Sequence, residues 1–142
     1  MQAHHLTIVH YPQRQHWYSV EVRLPDWEAV SAAVQRMDDD EYPIVQLSYK
    51  DVESCFSDDS SFNIVGGRIA GFAMFEMIAG WQYEDPEGGE EDVRLWKSDQ
   101  GYFCRRKNIL ADLGGVLRIA KVYFDTGSYE AVQTECVKMR ND

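Results

Sequence analysis

Alternating apolar and polar positions dominate the first part of the chain. Leu6 to Tyr11 reads as a short first strand, broken by Pro12 and Gln13. From Trp17 to Leu24 the alternation sharpens. Trp17, Ser19, Glu21 and Arg23 share one face, and Tyr18, Val20, Val22 and Leu24 share the other, the pattern of a half-buried antiparallel strand. Pro25-Asp26 stops it. Asp26 suits a helix N-cap, because its carboxylate can accept from the free N–H groups of a first turn. Trp27, Val30, Ala33 and Val34 then recur at helical spacing, so an amphipathic helix runs to about Met37. The acidic run Asp38–Glu41 ends it in a charged loop, since negative charge is unfavourable at a helix C-terminus.

Pro43 to Tyr49 is a clear strand carrying Ile44, Val45 and Leu47, and Cys55-Phe56 reads as another short one. Asp58, Asp59, Ser60 and Ser61 form a turn into a strand from Phe62 to Val65, which ends at Gly66-Gly67. Ile69 to Met77 is apolar but interrupted by Gly71, a sign of a bulge or a close backbone approach. Ala79-Gly80 turns the chain into Trp81–Glu84. Val93 to Lys97 and Tyr102 to Arg105 read as strands flanking a turn at Ser98-Asp99-Gln100-Gly101.

A last helix starts at the N-cap Asp112, with Leu113, Val116, Leu117, Ala120 and Phe124 on one face and Gly127 as an αL C-cap. Gly114 and Gly115 weaken its first turn by roughly 1 kcal/mol each against alanine. A close approach to the sheet would account for them. Tyr129 to Val137 reads as a final edge strand. The assembled expectation is a single α+β domain over residues 1–142. Its antiparallel sheet has about five to seven strands, with an N-terminal and a C-terminal helix packed on one face.

Composition adds a core and a strong charge. Of 142 residues, 44% are hydrophobic and 13% aromatic, enough for a core without staples. The 24 acidic and 14 basic side chains give a formal charge of −10. Such a surface repels phosphate backbones and anionic membranes and attracts a basic partner, although acidity can also serve solubility alone. Neither a signal peptide nor a membrane span is expected. The N-terminus lacks a basic region followed by an apolar run, and the longest uncharged apolar stretch, Ile69–Phe75, is too short to cross a bilayer. The expected location is cytoplasmic.

Candidate chemistry is sparse. Cys55, Cys104 and Cys136 are odd in number and far apart, which reads as reduced thiols. His4 and His5 are adjacent, and His10 and His16 flank Tyr11-Pro12, so no ligand pair has the usual zinc spacing and no metal is expected. Gly66-Gly67 lacks the context of a dinucleotide or phosphate loop, and there is no G-x-S-x-G elbow, so no cofactor is expected. Glu90 and Glu91 lie in a polar loop rather than the rigid, desolvated setting that tunes a catalytic acid. Cys104 stands beside Arg105, Arg106 and Lys107, which would lower a thiol pKa. Its alternation with Tyr102 favours a buried structural thiol instead. The same basic trio is too short to claim nucleic acid.

Surface character remains. Acids run through Asp38–Glu41, Asp58-Asp59 and Glu84–Asp92, and Trp81 and Trp96 flank the third run. Aromatics rimmed by charge suit a protein interface. For Trp81 a core role and an interface role are equally compatible with the sequence, and for Trp96 the core is favoured. The expected contacts for a basic partner are Trp81, Glu84, Asp85, Glu87, Glu90, Glu91 and Asp92, with Asp58 and Asp59. In this reading the loop's carboxylates have no local counter-charge and gain from a basic partner.

The stretch Ile109 to Gly127, closing on Phe124-Asp125-Thr126-Gly127, resembles the closing helix of the Imm1 family of immunity proteins. Leu24-Pro25-Asp26 opening a helix, the Pro43–Leu47 strand, and Phe62–Gly67 leading into a glycine-containing strand are compatible with it. The resemblance implies an inhibitor that binds a cognate bacterial toxin, often a nuclease, by direct protein contact and has no catalytic residues. Two other readings stay open: an acidic, non-enzymatic regulatory binding module, and a small enzyme using Cys104 or an Asp/Glu pair.

Overall fold

The computed structural model describes residues 2–12, 16–78, 80–96 and 102–141, and for Trp96 the backbone alone. In chain order the elements are β1 (His5–His10), β2 (Tyr18–Arg23), α1 (Trp27–Arg36), β3 (Ile44–Ser48), β4 (Phe62–Gly67), β5 (Gly71–Glu76), β6 (Asp92–Trp96), β7 (Tyr102–Arg105), β8 (Ile109–Leu110), α2 (Leu113–Thr126) and α3 (Tyr129–Arg140). Six strands make one antiparallel sheet in the order β2-β1-β3-β4-β5-β8, and β6-β7 form a separate hairpin.

Register explains how the sheet makes a core. Ile8 lies opposite Val45, Val45 opposite Ile64, and Ile64 opposite Met74. Leu6, Leu47 and Phe62 form a parallel row. These rows pack with Val30 and Val34 of α1, with Val116, Ile119, Ala120 and Tyr123 of α2, and with Val132 and Cys136 of α3. All three helices therefore bury their apolar sides on one face of the sheet, as period-2 and period-3.6 patterns demand.

The other face carries a polar row. Glu21 lies opposite Thr7, Thr7 opposite Gln46, and Gln46 opposite Asn63. Thr7, Gln46 and Asn63 are buried, and the Gln46 amide donates to Asn63 at 2.7 Å. A short 3-10 turn at Cys55–Ser57 covers one part of this face, where the Cys55 N–H donates to the Thr7 hydroxyl at 3.0 Å. The β6-β7 hairpin covers another part, with Tyr102 stacked on Phe75 at 5.6 Å.

Caps fix the first two helices as their sequence signals require. Asp26 accepts from Ala29 N at 2.8 Å, Asp112 accepts from Gly115 N at 3.1 Å, and Gly127 closes α2 at φ 63°. Gly71, at φ +102°, marks a close approach: a Cβ there would stand 2.5 Å from Ile109 Cγ2 on β8.

The structure corrects four expectations. Cys55-Phe56 is not a strand, because Ser54 caps a 3-10 turn there by accepting from Phe56 N. Tyr129–Val137 is not an edge strand but most of α3. Ser128 accepts from Ala131 N at 3.1 Å, and Tyr129, Val132, Cys136 and Met139 recur at helical spacing against the core. The buried side of α2 centres on Val116, Ile119, Ala120, Tyr123 and Phe124, with Leu113 and Leu117 at its margin. Finally, the close approach to the sheet holds for Gly115 alone, where a Cβ would lie 3.1 Å from Leu110 Cδ2 on β8 and also 2.9 Å from Met139 Cε on α3. Gly114 is exposed and meets nothing closer than the Asp112 carboxylate.

Candidate protein-docking surface

β2 is the outer strand of the main sheet, and its sequence leaves apolar side chains in water. Trp17, Tyr18, Val20 and Leu24 are each between 43% and 54% exposed, and only Val22 is packed against the core. The alternating pattern places Tyr18, Val20 and Leu24, but not Trp17, on the buried face. The face runs past the edge of the helical layer, so its outer members stay uncovered. Phe56 adds to the patch from the 3-10 turn, 44% exposed and with its ring 5.7 Å from that of Trp17. Trp17 in turn lies 6.2 Å from Tyr11.

Charge near this strip is arranged in a particular way. Glu21 points onto the polar face and accepts from Thr7 at 2.6 Å, from Ser19, and from His5 at 2.9 Å. Burial pushes its carboxyl pKa up. The hydrogen bonds from Ser19, Thr7 and His5 and the charge of His5 outweigh that effect and hold it below the ordinary value. Arg23 pairs with Asp51 at 3.6 Å. Asp51 and Glu53, both exposed, lie on the loop leading into the 3-10 turn, with Asp51 beside Arg23 at the far end of β2 from Trp17.

The acidic segment Glu84–Asp92 is organised by the basic trio that follows β7. Lys107 bonds Glu90 at 2.9 Å and lies 3.9 Å from Glu84, and Arg105 also pairs with Glu90. The Lys107 and Arg105 hydrogen bonds hold the Glu90 carboxyl below its usual range. Backbone bonds reinforce this: Arg106 N donates to Glu91 O, Lys107 N to Gly89 O, and Asp85 N to Lys107 O at 2.7 Å. Asp92 lies opposite Arg105, and Asp85 accepts from Glu87 N. The expectation of carboxylates without a local counter-charge is thus corrected, because the β6-β7 hairpin brings residues 84–92 beside 105–107. Glu87 and Glu91 remain exposed on this loop.

Trp81 is half-buried between sheet and helix. Its ring stacks on Phe62 at 6.1 Å and Tyr129 at 5.9 Å, and its Nε1 donates to Gln133 at 2.8 Å. Trp96's side chain lies outside the described residues, as does the turn assigned to Ser98–Gly101. Asp58 is buried at 1% exposure, accepting from Ser48 at 2.5 Å and from the Ser60 N–H and hydroxyl, with Lys50 at 3.4 Å. Asp59, its neighbour, is exposed. Among the expected contacts, then, Asp58 and Trp81 have structural partners and Glu90 is tied within its hairpin. Trp17, Tyr18, Val20, Leu24 and Phe56 were missed, because the sequence pattern for a covered face and an uncovered one is the same.

The thiols sit in apolar surroundings. Burial pushes Cys104 up to about 11 against the opposing charge of Arg106, with Asp92 adding to the rise. Burial likewise raises Cys55 to about 12 and Cys136 to about 11. No family model, curated protein or solved structure matches this chain. Among the described residues no helix is long and apolar enough to cross a membrane, and no cluster of His, Cys, Asp and Glu is arranged to hold a metal.

Proposed function

We propose that this protein is an immunity-type inhibitor, which binds a basic bacterial toxin domain by direct contact and carries out no chemical step of its own. The observation that carries the reading is the exposed strip on β2 and its neighbour Phe56, where aromatic and aliphatic side chains lie in water on a chain of charge −10. Apolar anchors supply desolvated contact, and the surrounding acid steers a cationic partner towards them. The Imm1-like part of the reading rests on the sequence resemblance over Ile109–Gly127, the stretch that forms β8 and α2. A cytoplasmic location, where a toxin of nuclease type meets its substrate, belongs to the same proposal. The raised pKa of Cys104 weighs against the cysteine-enzyme alternative, because the thiolate is the nucleophilic form.

The test is co-expression with the protein encoded immediately upstream, reading cell survival and co-purification. The proposal expects protection and a complex, both weakened when Trp17 and Phe56 are changed to alanine. A neighbour that is harmless and does not co-purify would remove the immunity reading.

A further inference from the structure

Resting on the binding reading above, we infer that the partner docks by adding a strand to the open edge of β2, using an extended segment that alternates apolar and basic side chains. The first observation is the edge itself. β2 is six residues long, contains no proline or lysine, and among the described residues is paired only with β1. Leu24 N donates to His4 O at 2.7 Å, which sets the parity of the ladder. Val22, Val20 and Tyr18 bond inwards with it, so Ser19, Glu21 and Arg23 turn their backbone N–H and C=O groups to the open side.

Edge strands are ordinarily protected by charge, proline or a bulge. The two charges on β2 both lie on the polar face, where each has partners, and leave the apolar face of the edge unguarded. Glu21 is drawn onto the polar face by Ser19, Thr7 and His5, and Arg23 is paired with Asp51. Along the edge, the outward backbone groups of Ser19, Glu21 and Arg23 meet no other strand among the described residues, and the exposed Tyr18 and Val20 alternate with them.

The two faces then select the occupant. On the helix side an incoming strand meets Tyr18, Val20 and Leu24, which call for apolar residues. On the opposite side it meets Glu21, Trp17 and Phe56, with Arg23 offset by Asp51, which calls for a cation opposite Glu21 and for side chains that stack on aromatic rings. Side chains of a strand alternate between those two faces, so the complementary segment alternates apolar and basic residues. A second copy of this chain fits less well. It would bring a further charge of −10 to the same edge and offers Glu21 where a cation is wanted.

The probe is a synthetic peptide of about seven residues alternating lysine and valine, a length matched to a typical strand. It is compared with two analogues N-methylated on one or the other alternate set of residues. The expected result is binding that protects the Ser19, Glu21 and Arg23 amides from hydrogen exchange. The analogue methylated on the edge-facing set should bind roughly tenfold or more weakly, and the other should bind as the parent does. Absence of binding, equal binding by all three peptides, or open amides at those positions would overturn strand addition. Protection of the same amides in a concentration-dependent dimer without peptide would overturn it in favour of a second copy. The two readings separate cleanly. A neutralised toxin that leaves these amides exchanging removes the docking mode and keeps the binding function, whereas a bound peptide without any neutralised toxin does the reverse.

Discussion

The Thr7 hydroxyl donates to the Glu21 carboxylate at 2.6 Å across the β1-β2 pair, while the same hydroxyl oxygen accepts from Cys55 N at 3.0 Å. One side chain therefore ties the outer strand, its neighbour and the 3-10 turn beneath them. It also holds the Glu21 carboxylate, still ionised, on the polar face of the sheet.

Acid should loosen the protein at two places. Asp58 is desolvated, but the Ser48 and Ser60 hydrogen bonds and Lys50 hold its carboxyl below the ordinary value, as the ties of Glu21 do for that residue. A carboxyl depressed in the folded state contributes stability that is fully present above its unfolded pKa of about 4 and is lost as pH falls through the lower native value. Urea titrations should give nearly constant stability from pH 7 to 5 from these two groups, then a decline below about pH 4. Asp58→Asn should cost about 1–3 kcal/mol at neutral pH and flatten the decline. An unchanged acid profile in that variant would show that Asp58 is not one of its sources.

The buried side of α2 is centred one step away from where the sequence puts it. Ile119 is fully buried and Leu117 only partly so. Ile119→Ala should cost about 2–5 kcal/mol by chemical denaturation, and Leu117→Ala distinctly less. The reverse order would mean that the helix is rotated.

Native thiols should be slow to react. With Cys55 near 12 and Cys104 and Cys136 near 11, the thiolate fraction at pH 8 is small. A chromogenic disulfide reagent should label none of the three rapidly at pH 8, and all three after unfolding. Fast native labelling of Cys104 would revive a nucleophilic role for it.

How far the sequence could be read follows from the range of each signal. Asp26, Asp112 and Gly127 act within one turn, so both flanking helices are legible. Ser128 with Tyr129, Val132, Cys136 and Met139 is as local, yet the β-formers Tyr, Val and Thr in that stretch suggest a strand. Helical spacing against the core decides the outcome. The Glu90 ties to Arg105 and Lys107 follow from the β6-β7 pairing, which the sequence did suggest. Exposure of Val20 and Leu24 depends on where the helical layer ends, a tertiary fact that the alternation of β2 does not contain.

The hairpin pairing has its own test. Glu90→Lys would place three cations together at residues 90, 105 and 107. Hydrogen exchange at the Arg106 and Lys107 amides should accelerate selectively, with the Ile8 and Val45 amides of the main sheet unchanged. Equal protection in the variant and the wild type would mean that backbone bonding alone holds residues 84–92.

Most directly, the account rests on the β2 strip as the binding surface. The deciding measurement is affinity for the co-purifying partner, by calorimetry, for wild type, Trp17→Ala with Phe56→Ala, and a Glu87→Lys with Glu91→Lys control on the acidic hairpin. The account predicts a loss of about 100-fold or more for the aromatic pair with the fold intact by circular dichroism, since two exposed anchors of hot-spot type are removed. It predicts a smaller loss for the hairpin variant, diminishing as salt rises. Wild-type affinity in the aromatic pair, with binding abolished by the hairpin changes, would contradict it.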